Sequence, residues 1–184
     1  MALLLIVFMS GCSGGGGGGG VSDTNATGNN LTSSVATYTI PDTGQTGHYT
    51  ATFGEDSDYT INPPSYTDNG DGTITDNVTG LVWQKQNDLT ARTWDSAITY
   101  CTSNAAGLPG TGWRVPTDFD LIMIVDYGRS VPAINPVFTN TQSSYYWSST
   151  IYAANTAEAW VVNFYSGNDS LFSKTNSYYV RCVR

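Results

Sequence analysis

The chain has 184 residues, a net charge of −8 and only 12 % charged residues, with 12 Tyr, 6 Phe and 5 Trp set among Gly, Ser, Thr and Asn. That texture suits a strand- and loop-rich extracytoplasmic domain rather than a cytosolic helical one. Residues 1–84 hold eight acids and no Lys or Arg, so like-charge repulsion argues against nucleic acid as a partner, and equally against sulfated polysaccharides.

Residues 2–9, Ala-Leu-Leu-Leu-Ile-Val-Phe-Met, are apolar but too short to span a bilayer as a helix. Ser10, Gly11 and Cys12 follow. A short apolar core, small residues and then a cysteine resemble a bacterial lipoprotein signal peptide over residues 1–12. The resemblance implies lipidation of Cys12 and a membrane held through that anchor. Ser13 after the cysteine resembles the sorting rule for the outer membrane, so the expected location is the bacterial outer membrane or cell surface. Two features depart from the pattern: no Lys or Arg precedes the apolar run, and Met9 stands where Leu is usual. Residues 13–37 hold seven consecutive glycines (14–20) inside a Gly/Ser/Thr/Asn-rich stretch that has nothing to pack. They read as a disordered, flexible tether with an r.m.s. reach of roughly 25–30 Å.

From Tyr38 the texture becomes that of a folded domain, 38–184. Turn signals occupy 41–44 and 54–58, and Pro63-Pro64 end this first segment. His48, the only histidine, reads as a surface residue. Residues 66–84 are the clearest β region. Asn69-Gly70 and Asp71-Gly72 are hairpin dipeptides, 77–80 makes a second turn, and strands are expected near 65–67, 73–75 and 80–85. The same crowding of Asp68, Asn69, Asp71 and Asp76 allows a calcium reading. A loop placed to use Asn69 and Asp71 would start at Thr67 and end at Val78, with no carboxylate at either end.

The spacing predicts an α-helix over 93–101. Trp94, Ala97, Ile98 and Cys101 fall at i, i+3, i+4 and i+7, Thr93 can cap the N-terminus, and Asp95 adds negative charge to the first turn. If Cys12 has a separate role, Cys101 is left with Cys182 in the β-rich run 178–184. After a loop at 107–112, residues 113–128 read as a short strand, a second helix capped by Thr117 with Asp118 and Asp120, and a stop at Gly128. Residues 121–125 also fit a buried strand. Arg114 reads as an internal ion pair or backbone clamp. Strands are expected at 145–150, at 158–165 with Trp160, Val162 and Phe164 on one side, at 170–173, and at 178–184 to close the sheet.

Four ordered motifs, 68–83 (Asp-Asn-Gly-Asp-Gly-Thr-Ile-Thr-Asp-Asn-Val-Thr-Gly-Leu-Val-Trp), 112–117 (Gly-Trp-Arg-Val-Pro-Thr), 146–149 (Tyr-Trp-Ser-Ser) and 180–184 (Val-Arg-Cys-Val-Arg), resemble the Lcl C-terminal domain of bacterial collagen-like adhesins. The resemblance implies an α+β, C-type lectin-like fold, with two helices packed on short antiparallel sheets. It also implies structural roles for Trp83, Trp94, Trp113, Arg114, Trp147 and Arg181. Lectin-like domains bridge the first helix to the last strand, which here means Cys101–Cys182. Closing that loop would be worth about 4 kcal/mol in a chain-entropy model. The sugar-binding signatures of that superfamily, Glu-Pro-Asn or Gln-Pro-Asp with Trp-Asn-Asp, are missing, as is any collagen-like repeat. Fold alone therefore does not license a lectin function.

The leading expectation is a membrane-anchored binding or adhesion module taking a glycan or protein ligand. Its candidate contacts are Tyr152, Asn155, Asn168, Asp169 and Lys174 in the polar loops of the last third. The alternative is a structural envelope lipoprotein acting through protein contacts. No enzyme and no cofactor are expected. Both domain cysteines are committed to a bridge, and His48 lies outside the core motifs with no serine paired to it.

Overall fold

The computed structural model describes residues 39–184. Cys12 and the stretches expected to be a signal peptide (1–12) and a tether (13–37) lie outside the described residues. The described chain is α+β. Strands β1 (Tyr66–Asp68), β2 (Thr73–Asp76) and β3 (Val82–Gln84) form one antiparallel sheet in that order. Helices α1 (Trp94–Thr102) and α2 (Asp118–Ile122) follow. Strands β4 (Tyr145–Ile151), β5 (Glu158–Asn163) and β6 (Asp169–Ser173) form the second antiparallel sheet. Among the described residues, no helix is long and apolar enough to cross a membrane.

The first sheet is set by its turns. Asp68 Oδ1 accepts from the Gly70 N–H (3.1 Å), and Asp71 Oδ1 accepts from the N–H (3.0 Å) and hydroxyl (2.6 Å) of Thr73. Gly70 and Gly72 sit at φ +74° and +89°, where a side chain would strain the backbone. Asp76, fully buried, closes the β2–β3 turn by accepting from Val78 N–H (2.9 Å) and the Thr79 hydroxyl (2.7 Å).

Helix α1 buries Ala97 and Cys101 completely, and Trp94 and Ile98 in part. Thr93 occupies the N-cap position, but its side chain does not cap. The hydroxyl donates to Ser96 Oγ (3.0 Å), and the Trp94 N–H donates to the Lys174 carbonyl (3.1 Å). In α2 the capping box is complete. Thr117 Oγ1 accepts from Asp120 N–H (3.1 Å), and Asp120 Oδ2 accepts from Thr117 N–H (2.8 Å). The helix is shorter than the sequence suggests. It ends at Ile122, well before Gly128, and the alternative strand over 121–125 does not form. Val125 turns back to bridge Ile134, carrying Ile124 and Val125 into the core.

The β4–β5–β6 sheet divides two apolar cores. Trp147, Ala159 and Val161 pack with Ala97, Cys101 and Val180 on the α1 side. Tyr146, Val162 and Phe164 pack with Leu121, Ile134 and Trp83 on the other. Trp160, Val162 and Phe164 alternate to one side as expected; Val161, on the opposite face, is as buried as Val162, and Trp160 is only half-buried. The central strand β5 therefore buries side chains on both faces, whereas the edge strand β6 stays partly exposed.

The run 178–184 does not close this sheet as one strand. It makes isolated bridges, Tyr178 with Arg92, Tyr179 with Tyr146, and Val183 with both Trp83 and Arg114. It thereby ties one sheet to the other. Cys182 within it is bonded to Cys101, 81 residues away, with Cα atoms 5.4 Å apart, so α1 and the final segment are covalently stapled.

Candidate functional site

In the antiparallel register of β5 and β6, Trp160 lies opposite Leu171 and Val162 opposite Asp169. Directly opposed residues point to the same face, so Trp160, Leu171 and Asp169 share one face. The core covers that face at Val162 and leaves Trp160 half-exposed. The Tyr152 ring stands edge-on to Trp160, with centroids 6.3 Å apart. Asp118, the first residue of α2, adjoins the patch. Its N–H donates to Thr150 Oγ1 (3.0 Å), and its Oδ1 is buried with no hydrogen-bond partner among the described residues. Burial pushes the Asp118 carboxyl up to about 6, and the negative charge of Asp169 adds to the rise. The result is an aromatic pair beside two carboxylates, one exposed and one starved of a donor. Such a patch offers π faces to ring or CH groups and acceptors to hydroxyl or amide donors.

The five candidate contacts do not form one site. Tyr152, Asn155 and Lys174 lie at the end of the sheet carrying the β4–β5 turn. Lys174 N–H donates to the Ala157 carbonyl (2.9 Å), and its Nζ sits 4.2 Å from the centroid of the Trp94 ring. Asn168 belongs to the β5–β6 turn, where its carbonyl accepts from Asn163 N–H (2.8 Å). Consecutive turns of a meander lie at opposite ends of the shared strand, here about 17 Å apart for the span of β5. Asp169 alone among the second group reaches the Trp160 face. Trp160 and Asp118 were missed by sequence reasoning. Its alternation with Val162 and Phe164 places Trp160 on one side of a strand, and Asp118 reads as helix-start charge after Thr117. The signal for Asp118 was present: Asp120 occupies the capping-box position, which leaves Asp118 without a local task.

The structural candidates take these places. Trp83 and Trp147 are fully buried, and Trp147 Nε1 donates to the Arg92 carbonyl (2.8 Å). Trp94 Nε1 donates to the Ser148 carbonyl (2.8 Å), and Trp113 Nε1 to that of Pro109 (3.2 Å). Arg114 Nη1 pairs with Asp120 Oδ2 at 2.7 Å. Arg181 is fully buried, which pushes its guanidinium down to about 10. It donates to the carbonyls of Gln84 (2.6 Å) and Lys85 (2.5 Å) and to Thr141 Oγ1 (2.7 Å), clamping β3 to the 139–141 loop.

The acidic run 68–76 is engaged piece by piece. Asp68 pairs with Lys85 (2.5 Å), whose hydrogen bond is the main cause of the lowered Asp68 carboxyl, while Asp71 and Asp76 hold turns and Asn69 donates to Thr73 and Thr75. Among the described residues no three His, Cys, Asp or Glu side chains gather as a metal site would require. The expectation that no serine pairs with the histidine is corrected. His48 Nδ1 lies 3.1 Å from Ser57 Oγ and 3.3 Å from Asp58 Oδ1. Both contacts fall on one ring nitrogen, whereas a proton relay needs serine and carboxylate on different nitrogens. A cleft of about 620 Å³ beside Pro132 and Phe138 has Arg129 at its edge, already paired with Asp126 (2.8 Å).

No curated protein matches the chain. The sequence profile of the Lcl C-terminal domain matches residues 72–184, more than half of the chain, which belongs to that family.

Proposed function

We propose that the protein is a binding or adhesion module held at the bacterial outer membrane or cell surface by a lipid on Cys12 and spaced from it by residues 13–37. It works without catalysis or cofactor. Ligand, a glycan or a protein, is met on the open face of the second sheet by Tyr152, Trp160 and Asp169, with Asp118 behind them and Asn155 and Lys174 at the flank. The observation that carries this reading is the partly exposed Tyr152–Trp160 pair on a sheet fixed between two cores, beside an α2 carboxylate oxygen that has no donor among the described residues. Rigid placement lowers the ordering cost of binding.

The test is binding of the mature lipidated chain to glycan, peptide and envelope-protein arrays. A Trp160→Ala variant should lose most of any signal, about tenfold or more in affinity. No signal above that variant would end this reading. Stable partners found only inside the envelope by crosslinking in intact cells, with no cleavage by external protease, would make it a structural envelope lipoprotein instead.

A further inference from the structure

Residues 39–62 precede the family match, and they carry an unusual surface. Of the eleven large apolar side chains left exposed among the described residues, five lie here: Ile40, Tyr49, Phe53, Tyr59 and Ile61. A cleft of about 520 Å³ opens among Ile40, Pro41, Tyr59 and Ile61, with the carboxylates of Asp42 and Asp56 in its lining. Its walls are tied together. Asp42 N–H donates to the Asn62 carbonyl (3.1 Å), Asp42 Oδ2 accepts from Ile61 N–H (3.2 Å), and the Thr43 hydroxyl donates to Asp56 Oδ2.

The lining of the cleft holds two carboxylates and no Lys or Arg. Residues 39–84 contain seven acids and no Lys or Arg. An anionic membrane surface and a second copy of this acidic chain are both repelled by such a field. A group with an apolar stem and a cationic head matches both the walls and the charge, and lysine and arginine side chains have that form. We propose that this cleft docks a cationic segment of a partner protein, seating a lysine or arginine stem against Tyr59 and Ile61 with its charge beside Asp42 and Asp56. This surface is separate from the Trp160 face and does not depend on it.

The test uses the full-length chain and two seven-residue acetylated peptides, one alternating Lys with Leu and one alternating Glu with Leu, followed by fluorescence anisotropy. The Lys peptide binds and the Glu peptide does not, and raising salt weakens binding. Asp42→Asn combined with Asp56→Asn keeps acceptor oxygens but removes charge, and lowers affinity about tenfold or more. Tyr59→Ala also weakens binding, whereas Asp95→Asn on α1 and Trp160→Ala leave it unchanged. A peptide with norleucine for Lys loses the same tenfold and needs no change in the protein, which keeps the test decisive if a variant misfolds. Equal binding of the Lys and Glu peptides, no binding of the Lys peptide, full affinity of the norleucine peptide, or loss of binding in Trp160→Ala would each overturn the proposal.

Discussion

The two sheets have the same strand count and the same antiparallel order, yet different forces hold them. Apolar layers on both faces fix β4–β5–β6, with Trp147 and Val161 on one side and Tyr146 and Val162 on the other. In β1–β2–β3 the outer strand is mostly exposed, and short polar side chains set the turns. Its other edge strand, β3, is held by the final segment, where Val82 and Arg184 exchange backbone bonds (both 2.9 Å) and Gln84 N–H donates to the Cys182 carbonyl (2.9 Å). The difference shows where function can reside. In the first sheet almost every acid already has a structural task. In the second, packing does the holding, so Tyr152, Trp160, Asp118 and Asp169 are left available.

The largest test of that contrast is Trp147→Ala. It empties the layer between the second sheet and α1 and should cost about 3–5 kcal/mol, read from denaturant unfolding. A cost below 1 kcal/mol would show that packing is not what fixes this sheet. Next, replacing Cys101 and Cys182 together by Ala should cost about 4 kcal/mol. Because the bridge joins both halves, the melting transition should fall as one and not split.

Asp76→Ala should cost about 1–3 kcal/mol, since it strips a buried acceptor from Val78 and Thr79. Hydrogen exchange should quicken in β2 and β3 while β5 keeps its protection. Uniform loss across both sheets would contradict the separate origins argued for them.

Asp118→Asn is expected to act in the opposite direction. The folded carboxyl, at about 6, lies above its ordinary value of 3.8, so the native state holds a proton that the unfolded chain releases between those values. Its contribution is therefore most favourable below pH 4 and is lost as pH rises through 6. At pH 7 the variant should be more stable by about 1 kcal/mol, an amount reduced by partial exposure, and the gain should vanish near pH 4. A pH-independent difference would place the cause elsewhere. The smallest expected effect is that of millimolar calcium, which should leave the melting temperature within error, because the Asp68, Asp71 and Asp76 carboxylates already have protein donors.

Local signals in the sequence were enough to place elements. The hairpin dipeptides at 69–72 marked the β1–β2 turn, and the i, i+3, i+4, i+7 spacing marked α1 with the face that buries Ala97 and Cys101. Thr117 with Asp120 marked the start of α2. These features are encoded within a few residues, so they can be read from a few residues. The end of α2 was not legible, because Val125 leaves the helix to meet Ile134, and the missing Thr93 side-chain cap was not, because the Thr93 hydroxyl donates to Ser96 Oγ.

By itself the amino-acid sequence determined the strands up to residue 173, the two helix starts, the pairing of the two domain cysteines and the family. Only the tertiary structure decided that Asn155 and Asn168 sit at opposite ends of one strand, that Trp160 escapes the core, and that Asp118 lacks a donor. It also decided that residues 178–184 tie two sheets together in place of completing one. The physical reason is range. Helix periodicity, capping and turns depend on neighbours along the chain, whereas exposure, burial of charge and convergence of side chains depend on segments that meet only after folding.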